Sequence, residues 1–346
     1  MSSGSRGSGL LGSPLPLVAA PMAGGPSNPQ LAAAVTRADG FAFLAGGYKT
    51  PEQLVNEIAA VRTGGAAFGV NLFAPNLAPI EKGEFRRYAE QLQPAAVRYG
   101  IDLSVARIVE DDDRWRDKLD LLVDDPVPVV SVTFGLPPAR DIRALRSAGT
   151  CVLATVTTVD EARSAADAGV DGLVAQGSSA GGHSGTFDAR RQITPMSTAE
   201  LTRAVIAATG LPVVAGGGVD GPAAFCAVLA AGATAVAVGT LLVRTDESGA
   251  SATYKNALAN PRFTETTLTR AFTGRPARGL RNDFIERYGP LAPTGYPAIH
   301  HLTRNLRLAA ADSGDAQNLH LWAGTGYRNA RTGPAASVIA ELVADL

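Results

Sequence analysis

The sequence predicts an α/β protein, a (β/α)8 TIM barrel with a mainly helical lid inserted after the eighth strand. Three observations support this. Eight short apolar runs rich in valine and alanine recur along the chain, amphipathic helix patterns separate them, and glycines or polar residues stand at the ends of the runs rather than inside them. In a barrel, eight parallel strands end at one face, so residues at strand ends converge on a single pocket. With 346 residues, 46% of them hydrophobic, the chain can bury a full core and carry one large domain with an elaboration.

The candidate strands are 17–20, 41–45, 68–72, 127–133, 151–156, 172–175, 212–215 and 235–238. Most lack strict polar alternation, as expected of parallel strands covered outside by helices. Helix patterns fall at 28–38, 51–61, 138–148, 159–168, 197–208 and 221–231. Several open on a capping residue and stop at glycine, as Thr158 with Gly169 and Asp220 with Gly232.

The polar, glycine-rich opening predicts a disordered N-terminal segment over 1–14, ahead of a barrel at 15–240. Within the barrel, residues 76–125 exceed what one crossover needs. They predict one or two extra helices around a solvated acidic turn, Glu110-Asp111-Asp112-Asp113-Arg114. Residues 241–330, rich in Arg, Tyr and turn residues, predict a lid or substrate subdomain over the barrel mouth. Val338, Leu342 and Leu346 have helical spacing, so 331–346 predicts a C-terminal helix packing back on the barrel.

Lys plus Arg total 31 against 32 for Asp plus Glu, which leaves no global field to hold a nucleic acid or an anionic membrane surface. The apolar stretch 10–23 is broken by Gly12, Pro14, Pro16 and Pro21, which argues against a secretion signal. Cys151 and Cys226 lie far apart in dissimilar contexts, suiting a reducing cytoplasm and offering neither a disulfide framework nor a metal cluster. The partner expected is a small molecule, bound by a monomer or homodimer.

The glycine clusters carry the first chemical signal. Val213-Val214-Ala215-Gly216-Gly217-Gly218 is a strand running into three glycines ahead of a helix, and Val236-Ala237-Val238-Gly239-Thr240 repeats the device on the next strand. Without Cβ atoms, backbone N–H groups approach an anion closely, and the last two strand-end loops are where barrels commonly hold phosphate. Gly177-Ser178-Ser179-Ala180-Gly181-Gly182-His183-Ser184-Gly185 follows the sixth strand. A histidine among glycines has a ring free to project, which makes His183 the candidate general base. Asn71 and Gln176, each ending a strand, offer amides toward a heterocycle or tie barrel loops together. Pro21-Met22-Ala23-Gly24-Gly25 after the first strand offers backbone amides and an apolar floor. His300, His301 and His320 read as structural. The run with Arg270, Arg275, Arg278 and Arg281 reads as a solvated, salt-bridged face or an attractor for anions, and Tyr254, Tyr296 and Trp322 as pocket wall or lid core.

Five motifs in order resemble those of the nitronate monooxygenase family, once called 2-nitropropane dioxygenases. They are Ala20-Pro21-Met22-Ala23-Gly24-Gly25 with Pro29; Phe68-Gly69-Val70-Asn71-Leu72; Gln176 followed by Ala180-Gly181-Gly182-His183; Ala215-Gly216-Gly217-Gly218; and Gly274-Arg275-Pro276-Ala277-Arg278. The resemblance implies an FMN enzyme that oxidises alkyl nitronates, for example propionate 3-nitronate, and nitroalkanes with O2 to a carbonyl compound and nitrite through a flavin semiquinone. It implies that Met22, Ala23, Asn71, Gln176, Gly181, Gly217, Gly218, Gly239 and Thr240 hold FMN. It also implies that His183 takes the α-proton of a neutral nitroalkane, a step an anionic nitronate does not need.

Two positions depart from the family pattern. Ser179 stands where an acidic residue is frequent and Ser184 where a basic one is, so the charge around His183 and the substrate preference are expected to differ. An FMN-dependent enoyl reductase of the same barrel type, using NAD(P)H, and a non-catalytic flavin-binding protein are the alternatives. An IMP dehydrogenase-like enzyme would need a cysteine in 177–187, and a Schiff-base aldolase a lysine at a strand end; neither is present.

Overall fold

Valine- and alanine-rich runs become parallel strands here because crossover helices cover their outer face, so each strand is apolar on both sides. The computed structural model describes residues 10–75 and 79–346. The chain begins β1 (Leu17–Ala19), α1 (Pro29–Arg37), β2 (Phe41–Ala45), α2 (Pro51–Arg62), β3 (Phe68–Phe73), α3 (Lys82–Val97), α4 (Trp115–Asp124) and β4 (Val129–Thr133). It continues α5 (Ala139–Ser147), β5 (Cys151–Val156), α6 (Val159–Asp167), β6 (Gly172–Gln176), β7 (Gly182–His183), α7 (Thr198–Thr209), β8 (Val213–Gly216), α8 (Pro222–Ala230) and β9 (Ala235–Val238). The last third holds α9 (Ala252–Ala257), β10 (Thr266–Thr269), β11 (Ala277–Leu280), α10 (Asp283–Tyr288), α11 (Ala298–Asp312) and α12 (Ala335–Leu342).

Strands β1 to β6, β8 and β9 form a closed eight-stranded parallel barrel, sealed by β9 against β1 with Ala19 opposite Val238. The predicted fold class therefore holds. Two predicted strands start late, at Val129 and Val213, because Pro128 and Pro212 have no N–H to give a ladder. Helix starts are set by capping. Asn28 accepts from the Leu31 N–H, and Thr50 with Gln53 and Ser197 with Glu200 form capping boxes.

Along the strands, the period of two divides inward from outward residues. Val18, Phe41, Phe43, Val129, Leu153, Val214 and Ala235 fill the barrel interior, while Ala42, Leu44, Val130, Val132, Val152 and Ala154 pack under the helices. Gly69 is required for this filling: a Cβ there would lie 2.4 Å from the Phe43 ring. One step toward the C-terminal ends, the inward positions turn polar, at Asn71, Ser131, Thr133, Thr155 and Gln176, and that belt is the floor of the pocket described below.

Several expectations need correction. Residues 1–9 of the expected disordered segment lie outside the described residues, but its end is anchored: Leu11 is buried and, with Leu10, joins the interior cluster at the barrel's N-terminal end, while Gly12 and Pro14 are exposed. The stretch 76–125 does carry two helices. Only α4 acts as a barrel crossover, through Trp115, Leu119 and Leu122, whereas α3 buries Phe85, Tyr88 and Leu92 against Phe272, Phe284, Ile299 and Leu306 of the later insertion. The acidic turn is not simply solvated. Asp113 pairs with the buried Lys118 at 2.8 Å, Asp111 with His301 at 2.8 Å, and Glu110 accepts the Ile80 N–H at 2.8 Å.

The insertion after β9 contains helices, but also β10 and β11, which form an antiparallel sheet with β7. Polar four-residue strands next to arginines carry no readable alternation, so this sheet was not predicted. Helix α12 packs Ala335, Ile339 and Leu342 into the main core; Leu346, expected on its buried face, lies past the helix end and is 58% exposed.

Because Leu11 sits in a closed, well-packed floor, Leu11→Ala should cost about 2–3 kcal/mol, seen as a lowered urea midpoint with an unchanged slope. An unchanged midpoint would show that the floor does not depend on this residue.

Candidate active site

Above the polar belt lies a cavity of about 570 Å³ at the C-terminal ends of the strands. Its floor is cross-linked. The Asn71 Nδ2 donates to Ser131 Oγ and Thr133 Oγ1, both at 2.9 Å, and the hydroxyls of Thr133 and Thr155 lie 3.1 Å apart. Ser131, Thr133 and Thr155 also line the cavity, and sequence reading missed them. Their signal was present: Val-Val-Ser-Val-Thr at 129–133 places polar residues at alternate, inward positions.

Gln176 reaches the cavity wall but is engaged with the loop that follows it. Its Nε2 donates to the His183 carbonyl at 2.9 Å and its Oε1 accepts from the Gly185 N–H at 2.6 Å. Met22 is similarly committed, since its N–H donates to Ser27 Oγ at 2.8 Å. Its thioether, not its amide as expected, is what it offers the cavity, beside Gly239. Ala23 lines the same wall.

The glycine turns form a cradle. Gly217 (φ +128°) and Gly218 (φ +73°) occupy backbone conformations that side chains rarely adopt, and a Cβ on Gly218 would lie 2.8 Å from that of Ser179. Gly181 packs so closely on the chain at Ala323-Gly324 that its Cβ would meet the Gly324 nitrogen at 2.5 Å. Thr198 Oγ1 pins the Gly217 carbonyl at 2.6 Å, and Thr240 Oγ1 accepts from the Gly324 N–H at 3.0 Å. Gly239, Thr240, Gly324 and Gly326 all line the cavity. Segment 323–329 therefore closes over both turns, a role no motif announced.

His183 enters from the side. Its strand β7 pairs with β11, with Ala277 opposite His183 and Arg278 opposite Gly182. The ring sits among Trp322, Phe134 and Tyr296, at centroid distances of 5.4, 5.6 and 6.1 Å, and its Nε2 lies 2.8 Å from Thr273 Oγ1. Burial, and then the charges of Arg275 and Arg307, push its pKa down to about 3. It is a neutral imidazole at working pH. Ser184 is buried, its N–H donating to Pro276 O, and Ser179 gives its carbonyl to the Thr325 N–H. The charge that His183 feels thus comes from the insertion rather than from its sequence neighbours.

The arginine run behaves unlike a solvated face. Only Arg281 does so, paired with Glu265 and Glu286. Arg278 donates to Ser178 O, and Arg270 to the carbonyls of Ala189 and Arg191. Arg275 is 2% exposed, bonded to Thr186 O, with its guanidinium 4.1 Å above the Phe134 ring. Arg307 on α11 is buried and donates to Thr303 Oγ1, to the His300 carbonyl and to nitrogens of His300 and His320. Among the described residues, neither Arg275 nor Arg307 has a carboxylate within 4.0 Å. Burial lowers both to about 10, which leaves both cationic at neutral pH.

His300 and His320, read from sequence as structural, line the cavity; His300 stacks on Tyr48 at 4.1 Å. Tyr48 is positioned by the acidic turn, its N–H donating to Asp113 Oδ1 at 2.9 Å. Tyr254 and Trp322 wall the cavity, while Tyr296 joins Phe73 and Phe134 in an aromatic cluster.

This constellation has close parallels. A nitronate monooxygenase family model matches residues 11–345. The chain belongs to the nitronate monooxygenase family. It is 34% identical over 333 residues to a probable nitronate monooxygenase of Staphylococcus aureus strain Newman, covering 95% of this chain and 93% of the relative. Crystal structures of a nitroalkane oxidase from Streptomyces ansochromogenes superpose with a TM-score of 0.90 at 48% identity, covering 96% of each chain. FabK from Thermotoga maritima shares the fold at a TM-score of 0.74 and 26% identity, over 97% of this chain and 93% of that one. As a nitronate monooxygenase family member the protein is an oxidoreductase of a flavin-dependent group. Among the described residues no helix is long and apolar enough to cross a membrane.

The buried histidines make a stability prediction. His183, His300 and His320 are all depressed, chiefly by burial, so between the ordinary histidine pKa near 6.5 and their folded values the unfolded chain binds more protons than the native one. Stability should therefore fall as pH drops below about 6.5. Thermal melts from pH 7.5 to 5 should show this decline, made shallower in His320→Gln; identical pH slopes for variant and parent would refute it.

Proposed function

We propose that this nitronate monooxygenase family member is an FMN-dependent enzyme that converts alkyl nitronates, propionate 3-nitronate among them, and neutral nitroalkanes to carbonyl compounds and nitrite with O2. The observation that carries this reading is a neutral imidazole facing a cavity lined by the buried Arg307, with the buried Arg275 behind the lining Phe134 ring, neither guanidinium having a carboxylate partner among the described residues. Such a site favours an anion, and it keeps a base unprotonated for substrates that arrive neutral. The likeness to a nitroalkane oxidase supports including the neutral substrates.

The residues present fit FMN. Gly217, Gly218, Gly239 and Thr240 form a cradle suited to its phosphate, and a Cβ on Gly217 or Gly218 would crowd the loop after β6 at 3.0 and 2.8 Å. Asn71, Gln176, Gly181, Met22 and Ala23 line the space suited to its ring and sugar chain. When bound, FMN supplies the redox chemistry, taking electrons from the nitronate and passing them to O2. The chain contributes the rest. Arg275 and Arg307 lower the cost of negative charge in the cavity, the aromatic group around His183 limits water, and His183 accepts the α-proton of a nitroalkane.

The purified protein should be yellow, and its flavin should be reduced rapidly by propionate 3-nitronate under anaerobic conditions. Fast bleaching by NADH or NADPH with no response to nitronate would point to a reductase; colour without turnover would leave only a flavin-binding protein. His183→Asn should keep flavin but lose about 100-fold or more of nitroalkane activity, with far less effect on nitronates. Gly218→Val should purify with little flavin while remaining folded by circular dichroism, and full flavin retention would remove that turn from the cofactor site.

A further inference from the structure

Thr273 lies in the turn ahead of β11, is 1% exposed, and holds its backbone in place by donating its N–H to Arg270 O at 3.2 Å. Its hydroxyl oxygen is 2.8 Å from His183 Nε2 and 3.4 Å from the Arg275 carbonyl. The other ring nitrogen, Nδ1, has no hydrogen-bond partner among the described residues and is not among the sealed, unpartnered atoms, so it opens to the cavity that His183 lines. A hydroxyl has a single proton. If Thr273 spent it on Nε2, the ring proton of a neutral imidazole would sit on Nδ1, and no lone pair would face the substrate.

Two features favour the opposite arrangement. The Arg275 carbonyl gives the hydroxyl proton an acceptor of its own, completing a run from Nε2–H to Oγ1–H to a carbonyl oxygen. Arg307 also lines the cavity as a cation, and a lone pair facing it is preferred to an N–H dipole facing it. Resting on the reading of His183 as the base, we infer that Thr273 is a positioning residue that fixes the His183 tautomer, accepting from Nε2–H so that Nδ1 is the atom that takes the substrate's proton.

The step balances without a further reactant. The α-carbon's proton moves to Nδ1, the C–H electron pair becomes the C=N bond of the nitronate as the N=O π pair moves onto oxygen, and Nε2–H stays bonded to Thr273 throughout. A carboxylate in the place of Thr273 would hold the tautomer equally well but would also favour a resting imidazolium. A hydroxyl orients without adding charge. The titratable and charged groups around the ring are Arg275 ahead of β11, Arg307 and His300 on α11, His320 and Tyr296; none is a carboxylic acid that could replace it.

The test reads the tautomer directly and activity separately. In the flavin-loaded protein labelled with 15N-histidine, long-range 1H–15N spectra should show His183 protonated at Nε2 and bare at Nδ1, the signals being assigned by their loss in His183→Asn. Thr273→Val should mix the two tautomers and lower kcat for a neutral nitroalkane by at least about tenfold, with KM little changed and a much smaller effect on nitronate turnover. Thr273→Ser should restore both the spectrum and the rate. A parent protonated at Nδ1, or a valine variant with the parent's nitroalkane kcat, would overturn the inference. Failure of the parent to turn over any nitro compound would instead strike the proposed function, leaving the spectrum to decide the tautomer.

Discussion

Two residue pairs in one short antiparallel ladder hold the site together. By pairing Gly182 and His183 with Arg278 and Ala277, β11 joins the loop after β6 to the insertion after β9, so the imidazole belongs to the barrel and to the lid at once. Gln176 secures the same loop from below by bonding both the His183 carbonyl and the Gly185 N–H. Arg278 adds a third tie through Ser178 O. A loop of glycines would otherwise lose much conformational entropy on ordering, and these contacts offset that loss at the one place where a side chain must be aimed.

The second constraint is electrostatic. Burying a guanidinium without a carboxylate is costly, and among the described residues Arg275 and Arg307 are held by carbonyls, a hydroxyl, imidazoles and the Phe134 face. The penalty explains why two imidazoles turn their nitrogens toward Arg307, whose charge adds to burial in holding both of them neutral. The two charges leave a positive field beside the cavity that an anion would complete.

The barrel was legible in the sequence because period, capping and glycine stops agree at several crossovers, as with Thr158 and Gly169 around α6, although α8 is capped by Gly221 with no side-chain bond rather than by the expected Asp220. The site was half legible. Glycines and a lone histidine at strand ends are local signals, and the structure brings Asn71, Gln176, Gly181, His183, Gly217, Gly218, Gly239 and Thr240 to one cavity. What escaped was long-range. Thr273 reaches His183 across 90 positions, and Gly324 reaches Thr240 across 84. Ser131 and Thr155 escaped for another reason: inside short apolar runs, single hydroxyls look like tolerated polar residues unless the inward register is known. The arginines were misjudged because sequence gives charge but not burial.

A base with a depressed pKa is a poor proton acceptor when considered alone, and His183 is depressed first by burial and then by the charges of Arg275 and Arg307, of which Arg307 lines the cavity. The difficulty resolves once the product is included. On the proposed reading, proton transfer from a nitroalkane would create an imidazolium and a nitronate together, and the nitronate's charge would offset the guanidinium repulsion that the imidazolium would otherwise bear. Each cation therefore enters the balance twice, raising the cost of the protonated ring and lowering that of the new anion. A nitronate that arrives already charged receives the second effect without the first. On that reading one arrangement of charges would serve both substrates, while the proton-accepting role proposed for His183 would be needed by only one of them.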